Sequence, residues 1–261
     1  MTAFVQRDQP LGVPPLELTG ERTLPDVPAE NYWYRRHLAV YEWIAARVSG
    51  ARVLDMACGE GYGSAVLART AATVVGIDAN PEAFEHARLR YQAGNLRFEQ
   101  ALVESYGEPG AFDTVVFLQT IEHVHDPAAV LEHLRSLLAP LGEAYVSTPN
   151  VLTLAPPGAP RSDNPWHLEE YRAGEFRELC EGAFESVQLL GLFHARKLAL
   201  HDRALRHGWD RLHRALRITR PFYDRFTPAI SASDFVLRPA DLDRALDFIA
   251  ICREGGLTDA A

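Results

Sequence analysis

The chain has 261 residues, 47% of them hydrophobic, enough to bury a full core in one domain with a sizeable elaboration. Its formal net charge of −9 argues against a general nucleic-acid-binding protein, because such proteins normally carry a basic domain. The three cysteines are widely spaced and no segment approaches the roughly 18 apolar residues of a membrane span, so we expect a soluble cytoplasmic protein without disulfides.

The chain begins with a proline-rich stretch, residues 1–29, which predicts an extended arm rather than a helix. Over residues 30–47, aromatic and apolar side chains recur at helical spacing, which predicts a helix that packs on a sheet. Tyr32 and His37 add polar groups beyond what packing requires, and we predict that they cap a bound cofactor. Residues 1–49 are thus interpreted as an arm and a cap helix.

A short apolar strand over residues 51–57 leads into a glycine-rich turn that precedes a helix. Gly59 and Gly61 allow backbone N–H groups to approach a ligand that any Cβ would hold away. Asp55 stands at the carboxyl end of the strand, where open α/β sheets bind their ligands. Because such a turn also occurs without a ligand, its spacing alone does not decide between a ligand cradle and a simple turn.

A second apolar strand ends in Asp78, about 20 residues beyond the glycines. At that spacing a carboxylate receives both hydroxyls of a ribose. The ligand of the glycine turn is therefore predicted to be a nucleoside.

Strands and helices then alternate, which predicts an α/β fold: a doubly wound parallel sheet with helices on both faces and right-handed crossovers. The predicted elements are 51–57, 62–69, 73–78, 81–92, 96–101, 112–118, 127–138, 142–148, 172–180, 184–190 and 245–252. We assign residues 50–191 to the core domain and residues 242–261 to the final strand and a tail.

The segment between the last two strands, residues 192–241, is predicted to be a helical insertion. Over residues 196–225 it holds nine Lys and Arg against three Asp, with leucines near helical spacing. It is either a surface helix with a solvated basic face or a lid that offers cations and imidazoles to an oxygen-rich acceptor.

Acid–base side chains follow the fourth strand. Glu122 and His123 lie at the mouth of the predicted cleft, and His167 ends a long loop after the next strand. A neutral imidazole accepts a proton near pH 7, and a carboxylate is a weaker base unless burial raises its pKa. These three residues are the predicted catalytic groups. His125 is a second candidate, and each of these histidines also has a purely structural interpretation.

Four segments, 53–63, 74–78, 112–123 and 145–150, resemble in that order the successive motifs of class I S-adenosylmethionine (SAM)-dependent methyltransferases. The resemblance implies a Rossmann-like sheet of seven strands whose last strand is antiparallel and closes an edge. It also implies SAM as the cofactor. The implied cofactor-binding residues are Asp55, Ala57, Gly59, Gly61, Tyr62, Asp78, Ala79, Ala101 and Gln119, with Tyr32 and His37 as caps.

The pattern over residues 119–123, with the later His167, is similar to metal-assisted O-methyltransferases such as the small-RNA 2′-O-methyltransferases and the ubiquinone-pathway enzymes. That similarity implies Mg²⁺ or Mn²⁺ bound by Glu122, His123 and His167. Gln119 stands where some of these enzymes have a further Glu, and a neutral amide is a poorer ligand.

Segments 18–26, 30–37, 164–167 and 191–194 resemble actinobacterial methyltransferases of methylglucose lipopolysaccharide synthesis, which implies a glucan hydroxyl as the acceptor. The predicted function is therefore methylation of a glycan hydroxyl. The alternatives are an O-methyltransferase of a quinone precursor or phenol, and a SAM-binding module without turnover. The sequence leaves the oligomeric state open.

Overall fold

The computed structural model describes residues 6, 9–18, 22–156 and 158–254, and eight strands among them form one sheet. The strands are Arg52–Met56 (β1), Thr73–Asp78 (β2), Leu96–Gln100 (β3), Phe112–Leu118 (β4), Leu138–Pro149 (β5), Ser186–His194 (β6), Phe235–Arg238 (β7) and Asp247–Arg253 (β8). The helices are Asn31–Ala45 (α1), Tyr62–Leu67 (α2), Pro81–Arg90 (α3), Pro127–Leu137 (α4), Val151–Leu154 (α5), Ala173–Ala183 (α6), Arg196–Arg206 (α7), Trp209–Ala215 (α8) and Thr219–Phe226 (α9). In this part of the chain no helix combines the length and the apolar character needed to cross a bilayer.

The strand order is β3-β2-β1-β4-β5-β8-β6-β7, and the first five strands in that order are parallel. This confirms the predicted doubly wound α/β sheet with an antiparallel last strand, β8.

Two details of the predicted sheet are wrong. The sheet has eight strands rather than seven, because β6 extends to His194 and its last four residues pair with the short strand β7. The last strand, β8, is not an edge: it lies between β5 and β6. Both faces of β8 are buried, and a strand buried on both faces is stable where it has neighbours on both sides.

Helices cover both faces of the sheet. On one face, Leu131 and Leu134 of α4 and Phe176 of α6 are fully buried against the strands. On the other face, Tyr41 and Ile44 of α1 pack with the apolar side of α2. These two layers leave the carboxyl ends of the parallel strands as the place where a cleft forms.

The proline-rich arm is extended and packed against the domain. Leu16, Leu24 and Val27 form a small buried cluster, and His86 of α3 donates from Nδ1 to the carbonyl of Pro14 at 2.6 Å. Residues 1–5, 7–8 and 19–21 of the predicted arm and 255–261 of the predicted tail lie outside the described residues. The arm therefore adds its own wall to the molecule beside α3.

The predicted insertion, 192–241, is helical over α7–α9 but also contains β7. It packs against α1. Asn31, the first residue of α1, donates from Nδ2 to the carbonyls of Thr227 and Ile230 at 2.8 and 3.0 Å. Tyr32, which was predicted to cap the cofactor, donates its hydroxyl to His194 Nε2 at 2.7 Å. The insertion thus extends the sheet edge and supports α1.

A buried ion pair fixes α1 to the sheet. Arg36 donates from Nε to Asp247 Oδ2 at 2.6 Å and from Nη2 to both Asp247 Oδ1 and the Leu246 carbonyl. Both side chains are almost fully buried. Because removal of one partner leaves a buried charge unpaired, the position of α1 depends on this contact.

We expect Arg36→Met to lower the free energy of unfolding by about 3–5 kcal/mol, because it leaves the Asp247 carboxylate buried without its partner. Urea denaturation measures the loss. Arg69→Met removes an exposed guanidinium and is the control, with an expected change within about 0.5 kcal/mol. Equal, small losses in the two variants would contradict the anchoring role.

Candidate active site

The turn after β1 is built for close approach by a ligand. Gly59 adopts φ +57°, lines a cavity and has open space where a Cβ would be. Gly61 adopts φ +94°, and a Cβ there would lie 2.7 Å from the Ala87 side chain. Gly59 is therefore the glycine that faces the cavity, whereas Gly61 allows the turn to pack against α3.

Asp78 and the turn hold each other in place. Asp78 Oδ2 accepts from the Gly59 N–H at 2.8 Å, and Oδ1 accepts from the Asn80 N–H at 2.9 Å. Cys58 N–H donates to the carbonyl of Ile77 at 2.8 Å. The carboxylate at the end of β2 is thus fixed beside the glycine turn and faces the same cavity.

Asp55 lies beneath this turn. Its oxygens accept from Ser64 Oγ at 2.6 Å and from the Tyr41 hydroxyl at 3.1 Å, and the residue is fully buried. Burial raises the pKa of Asp55 to about 7, although the two hydrogen bonds lower it. Asp55 therefore links α1 and α2 behind the turn.

A first cavity of about 300 Å³ opens at the carboxyl ends of β1, β2 and β4, within the size range of small-molecule sites. Seven of the predicted cofactor residues line it: Ala57, Gly59, Tyr62, Asp78, Ala79, Gln119 and His37. Burial lowers the pKa of His37 to about 4, so this imidazole is neutral at cellular pH.

Four other predicted cofactor residues are not among the described residues that line this cavity: Asp55, Gly61, Ala101 and Tyr32. Ala101 donates its N–H to the Asp78 carbonyl at 3.1 Å and packs on the core below β3. Tyr32 bonds His194, on the side of α1 that meets the insertion. For Tyr32 this corrects the predicted capping position.

A second cavity of about 490 Å³ adjoins the first, and Arg22, Thr23, His37, Gln119 and His123 line both. Its further lining residues include Trp33, Glu30, Glu122, Asn164 and His167. In the described part of the chain, residues 192–241 contribute to neither cavity lining, so the predicted lid lies elsewhere. The two adjoining spaces suit a two-substrate reaction.

Glu122, His123 and His167, hereafter the Glu122 cluster, meet at this second cavity. Each offers one potential ligand atom, and these atoms all lie within 4.8 Å of one another. The rings of His123 and His167 are 5.0 Å apart between centroids. His125 lies apart from the cluster, in a groove with Arg161 and Glu169.

Hydrogen bonds determine the tautomer of each histidine. His123 donates from Nδ1 to the Trp166 carbonyl at 2.8 Å, and His167 donates from Nδ1 to Glu170 Oε1 at 2.7 Å. In the neutral ring the lone pair is then on Nε2 in both residues. Burial raises the pKa of Glu170, but bonds from Ser162 and His167 outweigh it and lower that pKa overall, so Glu170 is a charged acceptor.

Glu122 is the unusual member of the cluster. Its carboxylate is buried, and Oε2 has no hydrogen-bond partner among the described residues. Burial raises the pKa of Glu122 to about 8. Its backbone carbonyl accepts from the N–H groups of Leu168 and Glu169 at 2.8 and 3.2 Å, which brings His167 to the cluster.

Asp247 and Thr23 are two of the lining residues of the first cavity that the sequence interpretation missed. Asp247 is the single acid in the apolar run of β8, and a lone charge in a buried strand is a signal for a buried partner. The Thr23 and Tyr62 hydroxyls form a hydrogen bond of 3.0 Å. Thr23 belongs to the arm, for which the sequence predicted no contacts. Only the tertiary fold brings Thr23 to the cavity.

Comparisons with known proteins identify the family of the chain. A methyltransferase-domain family model matches residues 32–206, more than half of the chain. A probable S-adenosylmethionine-dependent methyltransferase of Mycolicibacterium smegmatis is 39% identical over 247 residues, 90% of this chain and 94% of that protein. A ubiquinone biosynthesis O-methyltransferase of Xanthomonas campestris is 40% identical over 115 residues, 42% of this chain and 48% of that protein.

The crystal structure of a SAM-dependent methyltransferase from Mesorhizobium loti has the same fold, with a TM-score of 0.54 and 18% identity over 82% of this chain and 98% of that one. The fold and the glycine turn define the class I SAM-dependent methyltransferases. This chain belongs to that family and is a SAM-dependent methyltransferase, which confirms the family predicted from the four motifs.

We expect Asp78→Ala to weaken SAM binding by about 1.5–3 kcal/mol, because it removes a charge-assisted acceptor beside the turn. Isothermal titration calorimetry measures the affinity. Glu82→Ala removes an exposed carboxylate in the first turn of α3 and should leave the affinity unchanged. Wild-type SAM affinity in Asp78→Ala would show that Asp78 serves the turn alone.

Proposed function

We propose that the protein transfers the methyl group of SAM to a sugar hydroxyl of a glycan, with Mg²⁺ or Mn²⁺ held by the Glu122 cluster. The observation that carries the proposal is the convergence of one carboxylate and two imidazoles within 4.8 Å at the second cavity, directly beside the cavity of the glycine turn. A hydroxyl is a weak acid, so its methylation requires help with the loss of its proton.

The donor set of the cluster fits a divalent cation. The Glu122 carboxylate, with oxygens that water and a sugar would add, suits Mn²⁺ or Mg²⁺, and the two imidazole nitrogens are ligands typical of transition metals. The unpartnered Oε2 of Glu122 is available as a ligand atom. Hydrogen bonds to Glu170 and to the Trp166 carbonyl orient the two imidazoles, as is usual behind metal ligands. Gln119 lies on the same wall and offers a neutral amide.

SAM supplies an electrophilic methyl group on a positively charged sulfur, and a divalent cation supplies Lewis acidity that lowers the pKa of a hydroxyl. The side chains and backbone of the protein position the two reactants. Asp78 and the Gly59 turn fix the donor, and His123, which lines both cavities, stands where donor and acceptor meet. In the absence of a cation, Nε2 of His123 or His167 is the proton acceptor.

The lining of the second cavity favours a hydroxyl-rich acceptor. Glu30, Asn164 and Arg22 supply donors and acceptors, and Trp33 supplies a flat apolar surface. The resemblance to the ubiquinone-pathway O-methyltransferase supports a phenol or quinone precursor as a second candidate, over the 115 matched residues only. A SAM-binding module without turnover would not require the Glu122 cluster.

Labelled SAM, incubated with α-glucan oligosaccharides and separately with phenolic acceptors, tests the acceptor. We expect label in the oligosaccharide, loss of the signal with chelator, and recovery on addition of Mg²⁺ or Mn²⁺. Label in the phenol alone would show that the acceptor is the second candidate and not a glycan. Label in neither would contradict both acceptors.

The role of the cluster is tested by variants under the same conditions. We expect His123→Ala and His167→Ala each to lower turnover by about 10²-fold or more, with SAM affinity retained. His125→Ala is the matched control, because His125 lies two residues away in a separate groove, and its turnover should be near normal. Near-normal turnover in all three variants would leave the histidines as structural residues.

A further inference from the structure

A third cavity of about 380 Å³ lies between α7 and the connection from β7 to β8. Four arginines line it: Arg203 and Arg206 from α7, Arg238 from the end of β7, and Arg244 from the connection. None of these residues lines the two cavities of the candidate active site. We name this space the arginine cavity.

The charges of the arginine cavity are poorly compensated. Four arginines stand against two aspartates, Asp202 and Asp241, which leaves a net charge of +2. The Asp202 carboxylate is engaged by His194 Nδ1. Like charges that converge in one concave site repel each other, and an anion relieves that repulsion.

Two of the four guanidiniums have no partner in the described part of the chain: those of Arg203 and Arg244. Arg206 donates to the Asp202 carbonyl at 3.3 Å, and Arg238 stacks over the Phe193 ring at 4.0 Å. By contrast, Arg214 on the neighbouring helix α8 pairs with Asp210 at 2.5 Å. Arg211 and Arg217, outside the cavity, also have no partner among the described residues, so what distinguishes Arg203 and Arg244 is that they converge with two further arginines on one concave space.

The back wall of the cavity is fixed before any ligand arrives. His194 bonds Asp202 on one side and the Tyr32 hydroxyl on the other, which ties the cavity to α1. Phe193 is buried below Arg238, and Leu246 closes the floor. A rigid wall lowers the entropic cost of ordering a ligand.

We propose that the arginine cavity binds a ligand that carries a phosphate or diphosphate group. The planar guanidinium donates two parallel hydrogen bonds to a phosphate, and Arg203 and Arg244 retain those donors. The cavity is large enough for a sugar phosphate, whose carbon skeleton would contact Leu246. The site is separate from the methyl-transfer site, so its occupancy does not depend on the proposed acceptor.

Inorganic pyrophosphate and glucose 1-phosphate are the probes, titrated into the full-length protein by calorimetry at low ionic strength. We expect saturable binding of one pyrophosphate per chain, and the double variant Arg203→Gln/Arg244→Gln should weaken it by at least about tenfold. The control Arg211→Gln/Arg217→Gln removes the same charge from exposed positions outside the cavity and should bind as the wild type does. Unchanged thermal unfolding of both variants ensures that the fold is intact.

Three results would overturn the proposal. They are the absence of saturable pyrophosphate binding up to about 10 mM, equal affinity of the cavity variant and the wild type, and equal weakening in the two double variants. The last result would mean that net charge alone attracts the anion. Tighter binding of glucose 1-phosphate than of pyrophosphate would identify a phosphorylated sugar as the ligand, and the reverse order a diphosphate.

Discussion

The site depends on the way Glu122 is held. Its backbone carbonyl binds the N–H groups of Leu168 and Glu169, so the loop that carries His167 is attached to the residue that offers the carboxylate. The same residue leaves Oε2 buried without a hydrogen bond among the described residues. An unsatisfied buried carboxylate costs stability, and it persists because the surrounding fold determines its position. A ligand that satisfies Oε2 recovers that cost, so the desolvation of the carboxylate favours the binding of a cation or a proton.

The shared direction of the parallel strands places the two cavities side by side. Glu122 and His123 follow β4, whereas the glycine turn and Asp78 follow β1 and β2, and all these strands run in one direction. Their carboxyl ends meet at one edge, so the two cavities adjoin. The ion pair of Arg36 with Asp247 holds α1 against this edge, and the arm adds Thr23 to the wall.

Residues placed by local pattern were predictable from the sequence. Gly59 and Glu122 follow apolar strands and Asp78 ends one, and the parallel sheet brings these positions to one cleft. Tyr32 could not be placed, because its partner His194 is distant in sequence and belongs to a strand that ends four residues later than predicted. The edge strand β7 was missed because it has only four residues and lies in a segment dominated by helical spacing. The contacts of the arm were missed because composition does not tell which surface Leu16 and Leu24 meet.

The central claim is that the Glu122 cluster binds a divalent cation, and electron paramagnetic resonance of added Mn²⁺ tests it most directly. We predict one Mn²⁺ bound per chain, with higher affinity at pH 8.5 than at pH 6.5. The direction follows because the pKa of Glu122 is raised to about 8, and a carboxylate must lose its proton before it binds a metal. His167→Ala should abolish this binding, whereas His125→Ala should retain it. An unchanged Mn²⁺ signal in His167→Ala, or no saturable binding by the wild-type protein at either pH, would contradict the account.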